Sequence, residues 1–455
     1  MSRIINHEAV IDHLSNITGS KHYLIAYSGG LDSCVLLHLM HKGSQTDTEI
    51  NLSAIHINHK LSYKSDEWSD FCRVRCDEKN IPYQSVIVNI DNSNGESIEA
   101  VARQSRYRAL ADKLQYKQVL LTAHHEDDQC ETVILQLLRG SGMSGIAAMP
   151  EVSAFASGLL ARPLLQYDRQ SIRNYAIEEG ISWIEDDSNS DINRDRNFLR
   201  HHIVPVLKKR WPSASRTISR SAKHAYESIS LSNSLGKQDF IKCRILGTNV
   251  ISIQSVQQFD YIRQKNLLRC WIREHNKPVP PANILERIIL EVFKANDDRN
   301  PLVSWDKTEV RRYHNCIYIM DPLPLVDNQL SLTLEQSHDH LPLGKLEYQY
   351  TFGAGINRNI IKDKHITIKF RVGGETIIPA YSSYPHRINK LMSEYGFPPW
   401  LRDLIPLIYI NHELVAIPGI CIDRSWAALA HEPSLYIFWD LPEWLTAQKI
   451  PLSKP

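Results

Sequence analysis

Four short apolar stretches in the first 150 residues are each followed by a stretch with helical spacing. The apolar stretches cover 22–27, 51–58, 83–89 and 118–124, and the helical ones cover 31–41, 65–79, 98–114 and 127–139. Alternation of this length is typical of a parallel sheet with helices on both faces. Ligands of such sheets bind beyond the carboxyl ends of the strands. The sequence therefore predicts a doubly wound α/β domain with its site at that edge.

The rest of the chain has two further patterns. A chain of 455 residues is too long for one ordinary core. From about residue 213 the spacing is mainly helical, and after 330 it changes to short alternating strands with one helix near 386–395. We therefore expect three domains: an α/β domain at 1–212, a mainly helical domain at 213–330 and a small mixed α/β domain at 331–455.

The charge is distributed unevenly along the chain. The formal net charge of +1 neither requires nor excludes a nucleic-acid partner. Residues 194–223, however, contain nine Lys or Arg and one acidic residue, Asp195, so this stretch is a candidate RNA-contacting surface; a solvated helix explains any single lysine there equally well. We found no signal peptide and no apolar run of about 18 residues, which predicts a cytoplasmic protein without membrane contact.

The first of the predicted strands runs into a glycine-rich loop. The loop and the first turn of the following helix consist of Ser28, Gly29, Gly30, Leu31, Asp32 and Ser33. Glycines let backbone N–H groups approach phosphate oxygens, and a helix N-terminus favours an anion. The carboxylate of Asp32 would repel phosphates unless it bound Mg²⁺ or a substrate donor. The alternative is a tight Gly-Gly turn capped by Asp32 and Ser33.

A dense polar cluster, AHHEDDQCET, follows the fourth predicted strand at 123–132. Asp128 and Glu131 are three residues apart and share a helix face. Two carboxylates near bound phosphates can hold Mg²⁺ or an amine, and they can accept a proton from an amine nucleophile. An acidic helix N-terminus is the alternative, but it does not account for the adjacent His124 and His125.

Cationic and amide side chains outside these two motifs are weaker candidates. Arg103 and Arg106 lie on one predicted helix face and suit phosphate or carboxylate groups. Arg139 begins a glycine-rich turn, and Asn189 belongs to a DDSN segment. Two further arginines, Arg196 and Arg200, occur in the segment RNFLR.

The glycine-rich loop resembles the PP-loop of the ATP-pyrophosphatase superfamily, whose fold is that of the adenine nucleotide alpha hydrolases. Members of this superfamily cleave ATP to AMP and pyrophosphate. In their order and spacing, the motifs at 28–200 resemble the tRNA(Ile)-lysidine synthetases. The resemblance returns at 370–423, where FRVGGETIIP and HRINKLMSEYGFPPWLRDLIPLIY are similar to the C-terminal domain of the long bacterial form.

The resemblance implies an activity. Enzymes of this family ligate L-lysine to C2 of the wobble cytidine of tRNA(Ile) with a CAU anticodon, through an adenylated cytidine. They consume ATP with Mg²⁺ and release AMP and pyrophosphate. The resemblance also implies that both C-terminal domains bind tRNA, and it predicts no protein partner.

The resemblance also implies roles for individual residues. The expected catalytic residues are Asp32, Asp128, Glu131 and Arg196. The expected ATP-binding residues are Ser28, Gly29, Gly30, Leu31, Asp32, Ser33 and His124, with Asp32 as a magnesium ligand. The expected contacts to lysine or tRNA are Arg103, Arg106, Asp127, Arg139, Asn189 and Arg200.

Three other activities are less compatible with the sequence. A tRNA thiolation enzyme needs reactive cysteines, commonly a CxxC pair, and none of the eight cysteines forms one. An amide synthetase of the NAD or GMP type needs an ammonia source, and no glutaminase domain is evident. A non-catalytic RNA-binding protein would have no reason to keep Asp32, Asp128 and Glu131 together.

Overall fold

The computed structural model describes residues 4–60, 63–88, 98–186, 191–246, 248–296, 299–362 and 364–442. The chain divides into two compact units, Met1–Leu231 and Ser232–Pro455. Among the described residues, no helix combines the length and the apolar character needed to span a bilayer.

The first unit is built on a six-stranded sheet in the order β3-β2-β1-β4-β6-β5. The first five strands in this order run parallel, and β5 pairs antiparallel with β6 at the edge. The predicted parallel sheet is confirmed, whereas the β5–β6 hairpin was not predicted because its strands are only four residues long. The strands are β1 (His22–Ala26), β2 (Asn51–Asn58), β3 (Tyr83–Ile87), β4 (Val119–Leu121), β5 (Val152–Phe155) and β6 (Gly158–Ala161).

Helices cover both faces of this sheet. Alternate strand residues point to opposite faces. On one face, Ile25 and Leu121 therefore pack in a buried cluster with Leu36 of α2 (Leu31–Thr46). On the opposite face, Leu24 and Leu120 pack in a second cluster with Leu110 of α4 (Ile98–Lys113). The helices are α1 (His7–Thr18), α2 (Leu31–Thr46), α3 (Ser65–Asp77), α4 (Ile98–Lys113), α5 (Glu126–Leu138), α6 (Met143–Ile146), α7 (Arg169–Glu178), α8 (Asp195–Phe198), α9 (Val204–Arg210) and α10 (Ala214–Cys243).

The strand order changes direction between β1 and β4, which are neighbours. Ile25 of β1 is in register with Leu121 of β4. The loop that follows β1 and the polar cluster that follows β4 therefore leave the same edge of the sheet side by side. A change of direction of this kind opens a crevice at the carboxyl ends of the strands.

The second unit begins with helices and a small sheet. The amphipathic stretches at 263–274 and 283–295 overlap α12 and α13, as expected, and fully buried Trp271 lies in their core. The stretch 302–320, inside the region predicted to be mainly helical, forms an antiparallel meander that joins β7 in the order β7-β10-β9-β8. The elements are β7 (Ile251–Ser252), α11 (Ile253–Val256), α12 (Tyr261–Glu274), α13 (Ala282–Arg287), β8 (Leu302–Trp305), β9 (Thr308–Tyr313) and β10 (Cys316–Met320).

The last part of the chain is mixed, as the alternating pattern predicted. It contains sheets in the orders β11-β14-β17-β18-β19 and β12-β20-β13, a β15–β16 pair and short helices. The helix predicted near 386–395 is present as α16. The elements are β11 (Ser331–Thr333), α14 (Ser337–His340), β12 (Lys345–Phe352), β13 (Ile356–Asn357), α15 (Arg358–Ile361), β14 (Ile366–Lys369), β15 (Thr376–Ile377), β16 (His386–Arg387), α16 (Ile388–Glu394), β17 (Leu407–Ile410), β18 (Glu413–Ile417), β19 (Cys421–Ile422) and β20 (Pro433–Asp440).

Candidate active site

The loop after β1 presents backbone donors at the start of α2. Gly29 has φ of +81°, and a Cβ at this position would lie 2.9 Å from Cδ1 of Ile184 and 3.1 Å from Sγ of Cys72. Only glycine fits this backbone and this space. Gly30 is the N-cap of α2 and supplies no side-chain cap, so the first N–H groups of the helix are available to an anion.

Hydroxyl groups border the same loop. Oγ of Ser28 and Oγ of Ser33 are 3.1 Å apart, and Oγ of Ser33 donates to the carbonyl of Gly30 at 2.9 Å. Ser28 is exposed and Ser33 is buried. The loop thus combines N–H groups, two hydroxyls and a helix N-terminus, as a phosphate site requires.

The carboxylate of Asp32 extends from the first turn of α2 towards α5. Its Oδ2 lies 3.7 Å from Nε2 of His125, while its buried Oδ1 has no hydrogen-bond partner among the described residues. Burial raises the pKa of Asp32, with the charge of His125 opposing it. One carboxylate oxygen without a partner, beside a phosphate-type loop, fits a role as one ligand of a Mg²⁺ ion that also takes phosphate oxygens.

His125 lies between two carboxylates and was not among the residues predicted for the site. It is 1% exposed, and its Nδ1 accepts the N–H of Asp128 at 3.3 Å as the N-cap of α5. Nε2 of the same ring faces Asp32 and lies 3.4 Å from Oδ2 of Asp128. The paired histidines in the sequence were a signal for this residue, but they did not indicate which of the two faces Asp32.

Asp128 and Glu131 lie on one face of α5, as predicted, and both bind arginines. Nε of Arg196 donates to Oε2 of Glu131 at 2.8 Å, and its Nη2 donates to Oδ1 of Asp128 at 2.9 Å. Arg200 repeats the pattern, donating from Nε to Oε1 of Glu131 at 2.8 Å and from Nη2 to Oδ1 of Asp128 at 2.9 Å. Two carboxylates and two guanidiniums therefore form one compact, charge-balanced group, which we call the carboxylate–arginine cluster.

A break in helix geometry presents the two arginines. Arg196 lies in α8, and Arg200 lies in the π-helical turn Leu199–Ile203 that follows it. Arg196 and Arg200 are four residues apart and point to one side. π-Helical turns occur frequently at functional sites.

The charges of the cluster determine the protonation of its neighbours. Desolvation opposes ionisation of Asp128, but the charges of His125 and Arg196 outweigh it and hold the pKa of this carboxyl well below its usual range. Burial lowers the pKa of His124 to about 3, so its ring is neutral near pH 7. Nδ1 of His124 lies 2.9 Å from Oγ1 of Thr122.

Asp127 has a different set of partners from its neighbour in sequence. Its carboxylate pairs with Lys208, accepts Oγ of Ser215 at 2.5 Å and accepts the N–H of Arg169 at 3.1 Å. It is 6% exposed. Asp127 thus joins α5 to α7, α9 and α10, and this arrangement does not leave its oxygens open to lysine or tRNA.

The other predicted contact residues are placed separately. Arg103 and Arg106 are exposed on α4; Arg103 lies over the ring of Tyr107 at 5.1 Å, and Nε of Arg106 donates to Nε2 of His59 at 3.4 Å. Arg139 is exposed at the C-cap of α5, about 20 Å along the helix from His125. Asn189 lies outside the described residues.

Three family models match separate parts of the chain. The family model of the PP-loop domain matches residues 5–207, that of the TilS substrate binding domain matches 252–318, and that of the TilS substrate C-terminal domain matches 366–439. A tRNA(Ile)-lysidine synthase of Coxiella burnetii is 38% identical over 431 residues, which cover 93% of this chain and 94% of the relative.

The chain belongs to the tRNA(Ile)-lysidine synthase family. Further relatives with this name come from Methylococcus capsulatus, at 38% identity over 92% of this chain and 96% of the relative, and from Vibrio cholerae, at 36% identity over 89% and 92%. Membership in this family makes the chain a ligase that uses ATP and acts on tRNA. The glycine-rich loop and the carboxylate–arginine cluster lie within the part matched by the PP-loop domain.

Proposed function

We propose that this chain joins the ε-amine of L-lysine to C2 of the wobble cytidine of tRNA(Ile), through a cytidine adenylated on O2. The observation that carries the proposal is the position of the carboxylate–arginine cluster. His125 links it to Asp32 in the first turn of α2, so phosphate-type donors and a carboxylate pair share one edge of the sheet. Activation of a base by ATP and capture of an amine need both.

In the first step, O2 of the cytosine attacks the α-phosphorus of ATP. The bond from this phosphorus to the bridging oxygen breaks, and pyrophosphate leaves. The N–H groups at the start of α2 are placed to hold the phosphates. Arg196 and Arg200 are candidates to stabilise the charge that develops on the α-phosphoryl group. In the second step, the lysine nitrogen attacks C2, the C2–O2 bond breaks, and AMP leaves with O2.

The lysine amine must lose a proton before it attacks, because its unperturbed pKa is about 10.4. Asp128 and Glu131 are our candidates to hold it. The lowered pKa of Asp128 makes this residue an ionised hydrogen-bond acceptor and a weak base at neutral pH. Glu131, the other carboxylate of the pair, is our candidate for the general base. Because both of its oxygens accept arginine N–H groups, an incoming amine has to share or replace these bonds.

We place a magnesium ion at Asp32, whose partnerless oxygen supports this assignment. When bound, the ion would neutralise charge on the phosphates. The protein's own contribution is to hold the Asp32 carboxylate in place, through the helix that carries it and through the neighbouring His125.

We further propose that exposed cations of α9 and α10 bind the anticodon arm. The wobble base must leave its stack to be attacked, so the site has to hold the backbone of a distorted loop. Lys208 pairs with Asp127, but its neighbours on these helices are exposed. They are Lys209, Arg210, Arg216, Arg220 and Lys223. Preference for the CAU anticodon, tRNA binding by 213–330 and 331–455, and a cytoplasmic location belong to the same proposal.

Sulfur transfer, the nearest alternative, has little support from the cysteines. Cys34, Cys72 and Cys76 are buried, and burial raises the pKa of each thiol, that of Cys34 to about 11. Such thiols are poor nucleophiles.

One assay tests the proposed reaction. The chain is incubated with ATP, radiolabelled lysine and total tRNA, and label retained in the tRNA is counted. We expect retention that depends on ATP and that is lost in Glu131→Gln. Glu291→Gln, an exposed change on the second unit, is the matched control and should keep wild-type activity. AMP formation without label in tRNA would disprove lysidine synthesis, and full activity of Glu131→Gln would exclude Glu131 as the base.

A further inference from the structure

Arg162 follows β6 and is buried, with 6% of its surface exposed. Its Nη1 donates to the carbonyl of Pro150 at 2.6 Å, and its guanidinium lies near the hydroxyl of Tyr107 on α4. Its Nε is buried and has no hydrogen-bond partner among the described residues. The neutral partners thus leave one donor of a buried cation unsatisfied.

In the described part of the chain, no carboxylate pairs with this guanidinium. Among the described residues, Arg162 forms no salt bridge, and the titratable groups that act on it are the neutral hydroxyl of Tyr107 and the guanidinium of Arg103. Burial lowers the pKa of Arg162, and the repulsion by Arg103 adds to this effect. Buried charges in proteins are normally paired, and an unsatisfied buried donor is costly. The arrangement is therefore suited to an anion that is not part of the protein.

The position of Arg162 relates it to the crevice described above. Ala161 of β6 is in register with Leu121 of β4, and the N–H of Thr122 donates to the carbonyl of Ala161 at 3.1 Å. Arg162 therefore stands at the carboxyl edge of the sheet, next to the strand that leads to His124. The positive charge of Arg162 also acts on His124, whose pKa is lowered chiefly by burial.

The face of the sheet on which Arg162 lies is that of α4. Leu160, two residues earlier in the same strand, packs with Leu110 of α4, and side chains two apart share a face. Tyr107 and Arg103 belong to the same helix. Arg103 is exposed and has no carboxylate partner among the described residues, so two cations face the crevice edge without a counterion.

We propose that Arg162 is an anion-binding residue that holds a phosphoryl oxygen of a bound substrate. The oxygen belongs either to the phosphates of ATP or to the tRNA backbone; both sources rest on the proposed function. Guanidinium groups suit this task because their N–H groups match phosphate oxygens. Arg103, on the same face, is placed to assist.

Binding measurements test this proposal without the full reaction. Inorganic pyrophosphate and, separately, tRNA are titrated into wild type, Arg162→Met and Arg162→Lys. Arg173→Met, which removes an exposed arginine of α7, controls for the loss of one charge. We expect Arg162→Met to weaken one of the two ligands about 10- to 100-fold, Arg162→Lys to weaken it less, and Arg173→Met to leave both unchanged.

The pattern of loss identifies the source of the phosphate. Weaker pyrophosphate binding assigns the site to the nucleotide, and weaker tRNA binding with a smaller salt dependence assigns it to the RNA backbone. If both affinities stay within twofold while the melting temperature falls, Arg162 is only structural and the proposal fails. If Arg162→Met does not fold, Arg162→Lys is the test of the proposal. Because its single ammonium replaces a guanidinium, we expect the affinity for one of the two ligands to fall about fivefold. Wild-type affinity of Arg162→Lys for both ligands would overturn the proposal.

Failure of the proposed function gives a different result. A wild-type chain that leaves no labelled lysine in tRNA would contradict lysidine synthesis. The difference in pyrophosphate affinity between wild type and Arg162→Met would be unaffected by that outcome.

Discussion

Nε of Arg196 donates to Oε2 of Glu131 at 2.8 Å, although the two residues are 65 positions apart in the sequence. Glu131 is 1% exposed, and Arg200 binds its other oxygen. A buried carboxylate held by two guanidiniums is fixed in position before any substrate arrives. Such preorganisation is useful where charge develops in a transition state.

Replacing Arg196 by Lys should reduce both activity and stability. A lysine ammonium cannot reproduce the two N–H bonds to Glu131 and Asp128. We expect lysine incorporation to fall at least about 10-fold and unfolding free energy to fall by about 1–3 kcal/mol. Denaturant unfolding and the labelling assay measure the two effects. Arg287→Lys, at an exposed pair with Glu291, should change stability by less than about 0.5 kcal/mol; wild-type behaviour of Arg196→Lys would contradict the role of the cluster.

Gly29→Ala should abolish nucleotide binding. The added methyl group would meet Cδ1 of Ile184 at 2.9 Å, at a backbone φ of +81°. We expect a destabilisation of about 1–3 kcal/mol and a loss of pyrophosphate binding, measured by thermal melting and titration. Gly142→Ala is the control because φ is −70° and no atom lies within 4 Å of the new carbon. Normal binding by Gly29→Ala would show that the loop does not hold phosphate in this conformation.

Glu126 should make stability depend on pH. Burial, with the charges of Asp127 and Asp168, raises its pKa from 4.5 to about 7. Between these values the folded chain keeps a proton that the unfolded chain releases, so stability falls as the pH rises from 4.5 to 7. Glu126→Gln should therefore stabilise the chain by about 1–2 kcal/mol at pH 8 and hardly at all at pH 4.5.

Denaturant unfolding at the two pH values measures this effect. Glu291→Gln serves as the control, and it should not produce a stabilisation confined to high pH. If Glu126→Gln and wild type had the same unfolding free energy at pH 8, ionisation of Glu126 would not destabilise the folded chain.

Asp127→Asn distinguishes an anchor from a substrate contact. The change removes the charge that pairs with Lys208 and the acceptor of the Ser215 hydroxyl. We expect a loss of about 2–4 kcal/mol of stability, with an unchanged KM for lysine in the fraction that is folded. Urea unfolding and lysine titration provide the two readings. A raised KM for lysine at unchanged stability would instead support the contact predicted from the sequence.

Arg216→Ala and Arg220→Ala should weaken tRNA binding and reduce its dependence on salt. Each phosphate contact that is lost lowers the slope of log K against log salt concentration by about one unit. The slope is measured by filter binding at several salt concentrations. Arg73→Ala, which removes an exposed arginine of α3, is the control with the same loss of charge. An unchanged slope in both α10 variants would remove this helix from the RNA surface.

Most of the first domain's secondary structure followed from periodicity. The strand at Asn51–Asn58 and the start of the helix at Leu31 agree with the expected limits, because apolar spacing is a local property that packing preserves. The β5–β6 hairpin was not identified. Its strands are only four residues long, and their antiparallel pairing supplies their stability.

In the candidate site, too, the sequence predicted relationships within one segment but not contacts between segments. That Asp128 and Glu131 share a helix face, and that Asp32 follows a glycine turn, is contained in short segments of sequence. That Asp127 pairs with Lys208 depends on how separate helices pack. Adjacent carboxylates look alike in the sequence. In a helix, however, their side chains point about 100° apart, so they meet different neighbours in the fold.

The sequence by itself determined the parallel α/β domain, the phosphate-type loop and the family, since each depends on residues that are close in the chain or on motifs in a fixed order. Only the tertiary structure decided which arginines hold Glu131, which histidine faces Asp32 and that Arg162 is a buried cation with no carboxylate partner in the described ranges. These relationships join residues from different elements, and close packing of those elements fixes them.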